Sequence, residues 1–230
     1  MLLMNVAERL QAYERDGLHY HLAAIGIYAA REEIGDVFSD AFRPYVVAGL
    51  LAYDMARQLG KSPYRSFAMR LRHKLDLIRP LVSPLMSVSL ATVNIEAFRA
   101  TISQAYDLLA AKGSGGLHSD NTRSFYVGAS KILHWLNPDL FMILDSHIAT
   151  AFHHHPDSGA RVSIMHAGSP RYTADVYFEC LSRAQGAIMS YGEQRLRQDG
   201  NGLPLANIYG NIAFQYALEH GALRTKELSE

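Results

Sequence analysis

The sequence predicts an all-α, compact multi-helix globular protein, and three observations support this class. Apolar residues recur at spacings of three and four in most segments, as on one face of a helix. Prolines and glycines mark most segment boundaries. No stretch alternates apolar and polar residues over a convincing strand length. The 230 residues, 49% of them hydrophobic, suffice for one domain with a core or for two helical lobes flanking a cleft.

The boundaries of the predicted helices follow from capping chemistry. Proline at the first helical position loses no hydrogen bond, and glycine readily adopts the conformation in which helices end. The predicted helices cover residues 2–15, 18–31, 43–60, 62–79, 94–112 and 125–136, a stretch from 145, residues 173–197 and a stretch from 204. Pro80 and Pro84 are expected to break the chain. We predict one domain over residues 1–230, with a lobe boundary near residues 113–120, where Gly113-Ser114-Gly115-Gly116 favours a hinge.

Composition limits the classes of protein that fit. Lys plus Arg and Asp plus Glu number 22 each, and this balance argues mildly against a protein that coats nucleic acid. A local basic excess between Arg57 and Arg79 predicts either a phosphate-facing stripe or a solvated helix face. The single Cys180 excludes an internal disulfide and a four-cysteine iron-sulfur cluster. Uncharged runs are too short to span a bilayer, and no positive charge follows Met1 before Glu8, so we predict no membrane partner and a cytoplasmic location.

The most informative stretch runs from Ser124 to Phe152. Its first helix carries Lys131 among apolar residues, and Asn137-Pro138 ends this helix because the residue before proline is pushed out of the α region. After a short apolar connection, Asp145 is placed to accept the free backbone amides at the start of a second helix. Two consecutive helices therefore deliver an amine and a carboxylate that could face one cleft.

This arrangement resembles the helix-hairpin-helix DNA glycosylases, most nearly their 8-oxoguanine glycosylase branch. The resemblance implies that Lys131 is the Schiff-base lysine and that Asp145 is the essential aspartate. It places His147 beside the DNA backbone. Where the family grips a phosphate just before the lysine helix, this chain has Gly128 and Ser130.

The implied activity is excision of a damaged or modified base from double-stranded DNA, without a metal or other cofactor. A fixed carboxylate stabilises the positive charge that develops on the sugar. Apolar surroundings favour the neutral amine with which Lys131 would attack the sugar carbon C1′, and the Schiff base would then permit strand cleavage as an AP lyase. The extruded base needs an aromatic pocket. Candidates for this pocket are Phe125, Trp135, Phe214 and Gln215.

Other interpretations stay open. Lys131 alone fits a lysine that reaches out from an apolar face, Asp145 alone fits a plain helix cap, and each aromatic fits an ordinary core. A second hypothesis is a non-catalytic helical DNA-binding or interaction module on the same scaffold. A third is an unrelated helical protein with a metal site built from His153-His154-His155 and His166, although these histidines match no recognised zinc spacing.

Overall fold

The chain folds as an all-α protein, which confirms the class predicted from its sequence. The computed structural model describes residues 2–53, 55, 64–120, 122–154, 165–166, 169–170 and 172–227. Within these residues the only strands are β1 (Met165–His166) and β2 (Ser169–Pro170), which pair antiparallel. None of the helices described combines the length and the apolar character needed to cross a membrane.

The helices follow the predicted order along the chain. They are α1 (Val6–Asp16), α2 (Leu18–Ile34), α3 (Arg43–Ala52), α4 (Tyr64–Val82), α5 (Arg99–Ala110), α6 (Tyr126–Leu136), α7 (Ser146–His154), α8 (Ala174–Tyr191), α9 (Glu193–Asp199) and α10 (Leu205–Glu227). Single turns of 3-10 helix lie at Ser83–Leu85 and Ile95–Phe98, between α4 and α5.

Two predicted boundaries in the first half are wrong. Helix α3 ends at Ala52 rather than at Gly60, because Tyr53 already leaves the helical conformation. Pro80 was expected to break the chain, yet it lies inside α4, which continues to Val82. A proline so close to the C-terminal end of a helix removes only one hydrogen bond of the last turn, and the helix tolerates this loss.

The predicted helix over residues 173–197 is in fact two helices, α8 and α9. Its start is confirmed, since Thr173 caps α8 by accepting a hydrogen bond from the amide of Val176. The break falls at Gly192, whose φ of 97° lies in a region that glycine adopts without strain. The chain therefore turns at Gly192 instead of continuing as one helix.

Helix α6 lies at the centre of the protein. All of its residues from Gly128 to Leu136 are buried, and α2, α3 and α5 pack around it. Helix α10 packs against α1, α7 and α8. Buried residues on both sides of residues 113–120 join one hydrophobic core, and the lobe boundary there stays a prediction.

The contact between α3 and α6 is close because α3 has a glycine at the crossing. A Cβ atom on Gly49 would lie 2.6 Å from Cδ1 of Ile27 and 2.8 Å from Nε1 of Trp135. Both distances are far below ordinary van der Waals contact, so the two helices can approach this closely only with glycine at this position.

Candidate functional site

A cavity of about 420 Å³ opens between α6, α10 and the N-terminal helices. This volume falls in the range of roughly 300–1,000 Å³ that small-molecule and cofactor sites occupy. Lys131 and Asp145 both line this cavity, so the structure brings together the amine and the carboxylate that the sequence placed on consecutive helices.

Lys131 reaches the cavity from the middle of α6, and only 4% of its surface is exposed. Its Nζ atom donates a hydrogen bond of 2.7 Å to the backbone carbonyl of Tyr53 and lies 5.4 Å from the centre of the Tyr53 ring. Tyr53 follows the last residue of α3, where a cation is favoured by the negative end of the helix dipole. The amine therefore helps to cap α3 while it lines the cavity.

Asp145 is the N-cap of α7, as predicted. Its Oδ1 atom accepts hydrogen bonds from the amides of His147 at 3.0 Å and Ile148 at 3.1 Å. The carboxylate also faces the aromatic wall of the cavity. Burial raises the pKa of Tyr172 to about 12, and the negative charge of Asp145 adds to this rise. The carboxylate is half-buried, fixed by the helix end and directed towards the same space as Lys131.

The connection between the two helices is held by a serine. The hydroxyl of Ser130 accepts a hydrogen bond of 3.0 Å from the amide of Leu144 and donates one of 2.8 Å to the carbonyl of Val127. Ser130 is fully buried. This hydroxyl ties the lysine-bearing helix to the residue just before Asp145, so it serves the geometry of the site.

The two residues predicted to contact a DNA phosphate next to the lysine helix have packing roles in this structure. Ser130 uses its hydroxyl inside the protein. Gly128 is buried against Phe125, and a Cβ atom there would lie 2.0 Å from Cε1 of the Phe125 ring. His147, in contrast, is exposed and lines the cavity mouth, and its contact with a DNA backbone stays a prediction.

Aromatic rings form much of the cavity wall. The rings of Tyr20 and Tyr53 lie 4.8 Å apart, and the edge of Tyr13 contacts Phe214 at a centroid distance of 5.6 Å. The centre of the His147 imidazole lies 4.6 Å from the centre of the Phe214 ring. Such walls suit a planar ligand, because they offer large apolar faces and polar edges.

The four residues predicted for a base pocket lie in different places. Phe214 lines the cavity. Gln215 follows it on α10 but donates to Asp16 at 3.3 Å and is not among the lining residues. Phe125 and Trp135 are fully buried in the core and also lie outside the lining. Aromatic packing around α6 therefore accounts for Phe125 and Trp135 without a ligand.

A buried histidine also lines the cavity. Nδ1 of His134 donates to the carbonyl of Phe141 at 2.6 Å, since a carbonyl can only accept, and Nε2 accepts from the hydroxyl of Tyr28 at 2.8 Å. Burial lowers the pKa of His134 to about 4, which keeps the ring neutral at pH 7. On α10, the side-chain amide of Asn211 donates to the side-chain oxygen of Asn207 at 3.1 Å. His134 and both asparagines line the cavity.

Several lining residues are absent from the sequence-based prediction. These are Tyr13, Tyr20, Tyr53, Tyr172, Asn207 and Asn211. The tyrosines come from distant segments and carry no local signal. The two asparagines do carry one, because they stand four residues apart in an otherwise apolar part of α10, and polar residues on a buried helix face require partners.

The basic residues between Arg57 and Arg79 do not form a continuous cationic row among the side chains that the structure describes. Lys74 is buried, and its Nζ atom donates to the carbonyl of Leu108 at 2.7 Å. Arg72 and Arg79 each form an ion pair with an aspartate, at 3.5 and 3.4 Å. The described part of this segment therefore gives little support to a phosphate-facing stripe.

The histidine-based metal site predicted as a third hypothesis falls on residues 153–155 and 166, outside the side chains that the structure describes. Among the described residues, no group of three or more His, Cys, Asp or Glu side chains is arranged to hold a metal ion.

We compared this chain with known protein families, curated proteins and solved structures. No protein-family model, no curated protein and no solved structure matches this chain.

Proposed function

We propose that this protein excises a damaged or modified base from double-stranded DNA, with Lys131 and Asp145 as its catalytic residues. The observation that carries the proposal is that both side chains line one cavity of about 420 Å³. Their positions on two consecutive helices, joined by a short connection, are compatible with such a pairing. An amine and a carboxylate beside an aromatic wall are the groups that base excision by a Schiff-base mechanism requires.

The cavity suits an extruded base. Enzymes that act on a base take it out of the helical stack and hold it between aromatic or apolar side chains. Here Phe214 and the Tyr20–Tyr53 pair supply such faces. Asn207 and Asn211 supply amide groups at the same cavity, which can contact the polar edge of a base.

The proposed reaction assigns a separate task to each catalytic residue. Lys131 first gives up one proton to water. Its amine then attacks C1′ of the sugar as the bond from C1′ to the base nitrogen breaks, and the base leaves with the electron pair and takes up the proton that the attacking nitrogen releases. Asp145 stabilises the positive charge that develops on the sugar. The lone pair of the bound nitrogen then forms the second bond to C1′ as the bond from C1′ to the ring oxygen breaks; the ring oxygen keeps that electron pair and takes up a proton from water, which leaves an iminium ion. Loss of a proton from C2′ expels the 3′ phosphate and cuts the strand.

A non-catalytic DNA-binding module is the second candidate, and one contact favours it. The Nζ atom of Lys131 already donates to the carbonyl of Tyr53, which is a complete structural role for a buried lysine. Lys74 makes the same kind of contact with Leu108 at the same 2.7 Å, yet it does not line the cavity. Burial and tethering alone therefore do not distinguish the two candidates, whereas access to the cavity favours catalysis by Lys131.

Borohydride trapping tests the proposal. The protein is incubated with duplex DNA that carries an abasic site or 8-oxoguanine, borohydride is added, and the covalent protein–DNA adduct is measured. We expect an adduct with the natural protein and none with Lys131→Gln. Lys74→Gln is the matched control, because it also removes a buried amine from a backbone carbonyl, and its adduct yield should equal that of the natural protein.

Circular dichroism first establishes that both variants fold, since each leaves one buried carbonyl unpaired at a cost of about 1–3 kcal/mol. An adduct of unchanged yield in Lys131→Gln would exclude this lysine as the nucleophile. Binding to abasic DNA without any adduct would favour the non-catalytic module. Absence of both binding and adduct would refute a DNA-directed function.

A further inference from the structure

A chain of hydrogen bonds begins at His134, and the direction of its first hydrogen bond is fixed. The carbonyl of Phe141 can only accept, so Nδ1 of His134 carries the hydrogen that forms the 2.6 Å contact. Because the ring is neutral, Nε2 has no hydrogen and must accept. The hydroxyl of Tyr28, 2.8 Å away, therefore points its hydrogen towards His134.

This direction continues into α10. With its hydrogen committed to His134, the hydroxyl of Tyr28 can only accept from any further partner. Burial raises the pKa of Tyr28, and a hydrogen bond from the side chain of Asn207 opposes that rise, which identifies Asn207 as this partner. The NH₂ group of Asn207 then faces Tyr28, and its side-chain oxygen is turned towards Asn211. The observed hydrogen bond agrees with this, since the NH₂ group of Asn211 donates to the Asn207 oxygen at 3.1 Å.

The far end of this chain is an acceptor at the cavity. The NH₂ group of Asn211 is directed at Asn207. The part of the Asn211 amide that is left for another partner is therefore its oxygen, Oδ1. Asn211 lines the cavity, and no hydrogen bond among the described residues uses this oxygen. A buried amide with an unused acceptor favours a ligand that can donate to it.

We propose that Asn211 presents its side-chain oxygen to the cavity and selects bases that carry an N–H donor at the edge facing α10. This inference rests on the proposed function, because it assumes that a base enters the cavity. Asn211 would touch the base and determine specificity. Tyr28 does not line the cavity, so it would act as a positioning residue that holds Asn207 and Asn211 in one orientation.

The test measures the selectivity of binding between two bases that share the purine ring system but differ in the number of N–H hydrogen-bond donors. One duplex carries 2,6-diaminopurine, which has two amino groups, and a second carries unsubstituted purine at the same place opposite thymine. A third duplex carries a tetrahydrofuran abasic analogue. Their dissociation constants are measured by fluorescence anisotropy for the natural protein, Tyr28→Phe and Asn211→Leu. The cost of opening each duplex cancels when selectivity ratios are compared between proteins.

We expect the natural protein to prefer 2,6-diaminopurine and both variants to lose about tenfold in this preference, the effect of one buried hydrogen bond left unmade. Affinity for the abasic analogue should stay the same, because no base then reaches Asn211. Tyr177→Phe is the matched control: like that of Tyr28, its hydroxyl donates to a buried acceptor, here the carbonyl of Met142 at 3.1 Å, and Tyr177 does not line the cavity either. Its selectivity should equal that of the natural protein.

Failure of this inference differs from failure of the proposed function. Equal selectivity in the natural protein, Tyr28→Phe and Asn211→Leu, with abasic binding intact, would overturn the role of Asn211 and leave base excision standing. Lack of binding to the abasic analogue by the natural protein would overturn both.

Discussion

Replacement of Gly210 by alanine should stabilise the protein and impair its binding of a base. Gly210 is buried in α10 and lines the cavity, and a Cβ atom there would lie 3.8 Å from both Ile148 and Met142, which is ordinary contact. Glycine inside a helix costs about 0.5–1 kcal/mol relative to alanine. We therefore expect Gly210→Ala to raise the free energy of unfolding by about 1 kcal/mol, or the melting temperature by roughly 2–4 °C for a chain of this size.

Gly210 and its neighbour Ile148 both line the cavity that we assign to the base, so a methyl group at position 210 takes up space at this wall. Inserting one methyl group into a packed site costs about 1–3 kcal/mol, so affinity for a base-containing duplex should fall about tenfold relative to affinity for an abasic duplex. Urea unfolding followed by circular dichroism gives the stability, and fluorescence anisotropy gives the two affinities. Gly186→Ala is the control, because Gly186 is an exposed helical glycine of α8 with nothing near its Cβ position, and it should stabilise without any change in binding.

Two results would refute this reasoning. A stabilised Gly210→Ala protein with an unchanged ratio of affinities would show that the base does not occupy this cavity. A destabilised Gly210→Ala protein, beside a stabilised Gly186→Ala, would show that the packing around α10 is tighter than the structure indicates.

Three further predictions concern the site and its support. Asp145→Asn should keep the α7 cap, since asparagine caps as well as aspartate. The free energy of unfolding should therefore change by less than about 0.5 kcal/mol, while base excision is lost. Activity equal to that of the natural protein would exclude the carboxylate from the chemistry. The pKa of His134 falls from 6.5 to about 4 on folding because the ring is buried, so stability is complete above pH 6.5 and decreases as the pH falls towards 4, by up to roughly 3 kcal/mol. Urea titrations at pH 7 and 4.5 should show this loss in the natural protein and a smaller one in His134→Asn. Gly49→Ala should destabilise by about 1–3 kcal/mol, measured by the same titration, because its Cβ atom would overlap Ile27 and Trp135.

The parts of the site that the sequence predicts are those fixed by local chemistry. Asn137-Pro138 ends α6 and Asp145 begins α7 because proline and carboxylate act on the backbone within one helical turn. The short connection between Lys131 and Asp145 keeps the two residues near each other, whereas their place in one cavity depends on how α6 and α7 pack. The end of α3 and the break at Gly192 were predicted wrongly. The apolar periodicity continues past both positions, and the local residues give no signal strong enough to indicate that a helix ends there.

The rest of the cavity depends on contacts between segments far apart in the chain. Tyr28 and His134 are 106 residues apart, and Gln185 donates to the carbonyl of Leu90 over a similar separation. Periodicity shows that such side chains are amphipathic or buried, but not which partner they meet. Asn207 and Asn211 are the exception, since two amides on an apolar helix face indicate a polar partner or a ligand without any knowledge of packing.

Lys74 and Lys131 together bear on how lysine nucleophiles are sought in helical proteins. Both amines are buried, and both donate to a backbone carbonyl at 2.7 Å, so a search based on burial or on a carbonyl partner would select the two equally. Lys131 differs from Lys74 in that it lines the cavity and lies 5.4 Å from the centre of the Tyr53 ring. Within one chain, Lys74 is thus an internal reference for the behaviour of a lysine that holds two helices together and does nothing else. Reactivity of each amine towards a small aldehyde, compared side by side, would measure how much the cavity and the Tyr53 ring change a lysine that is tethered to a carbonyl.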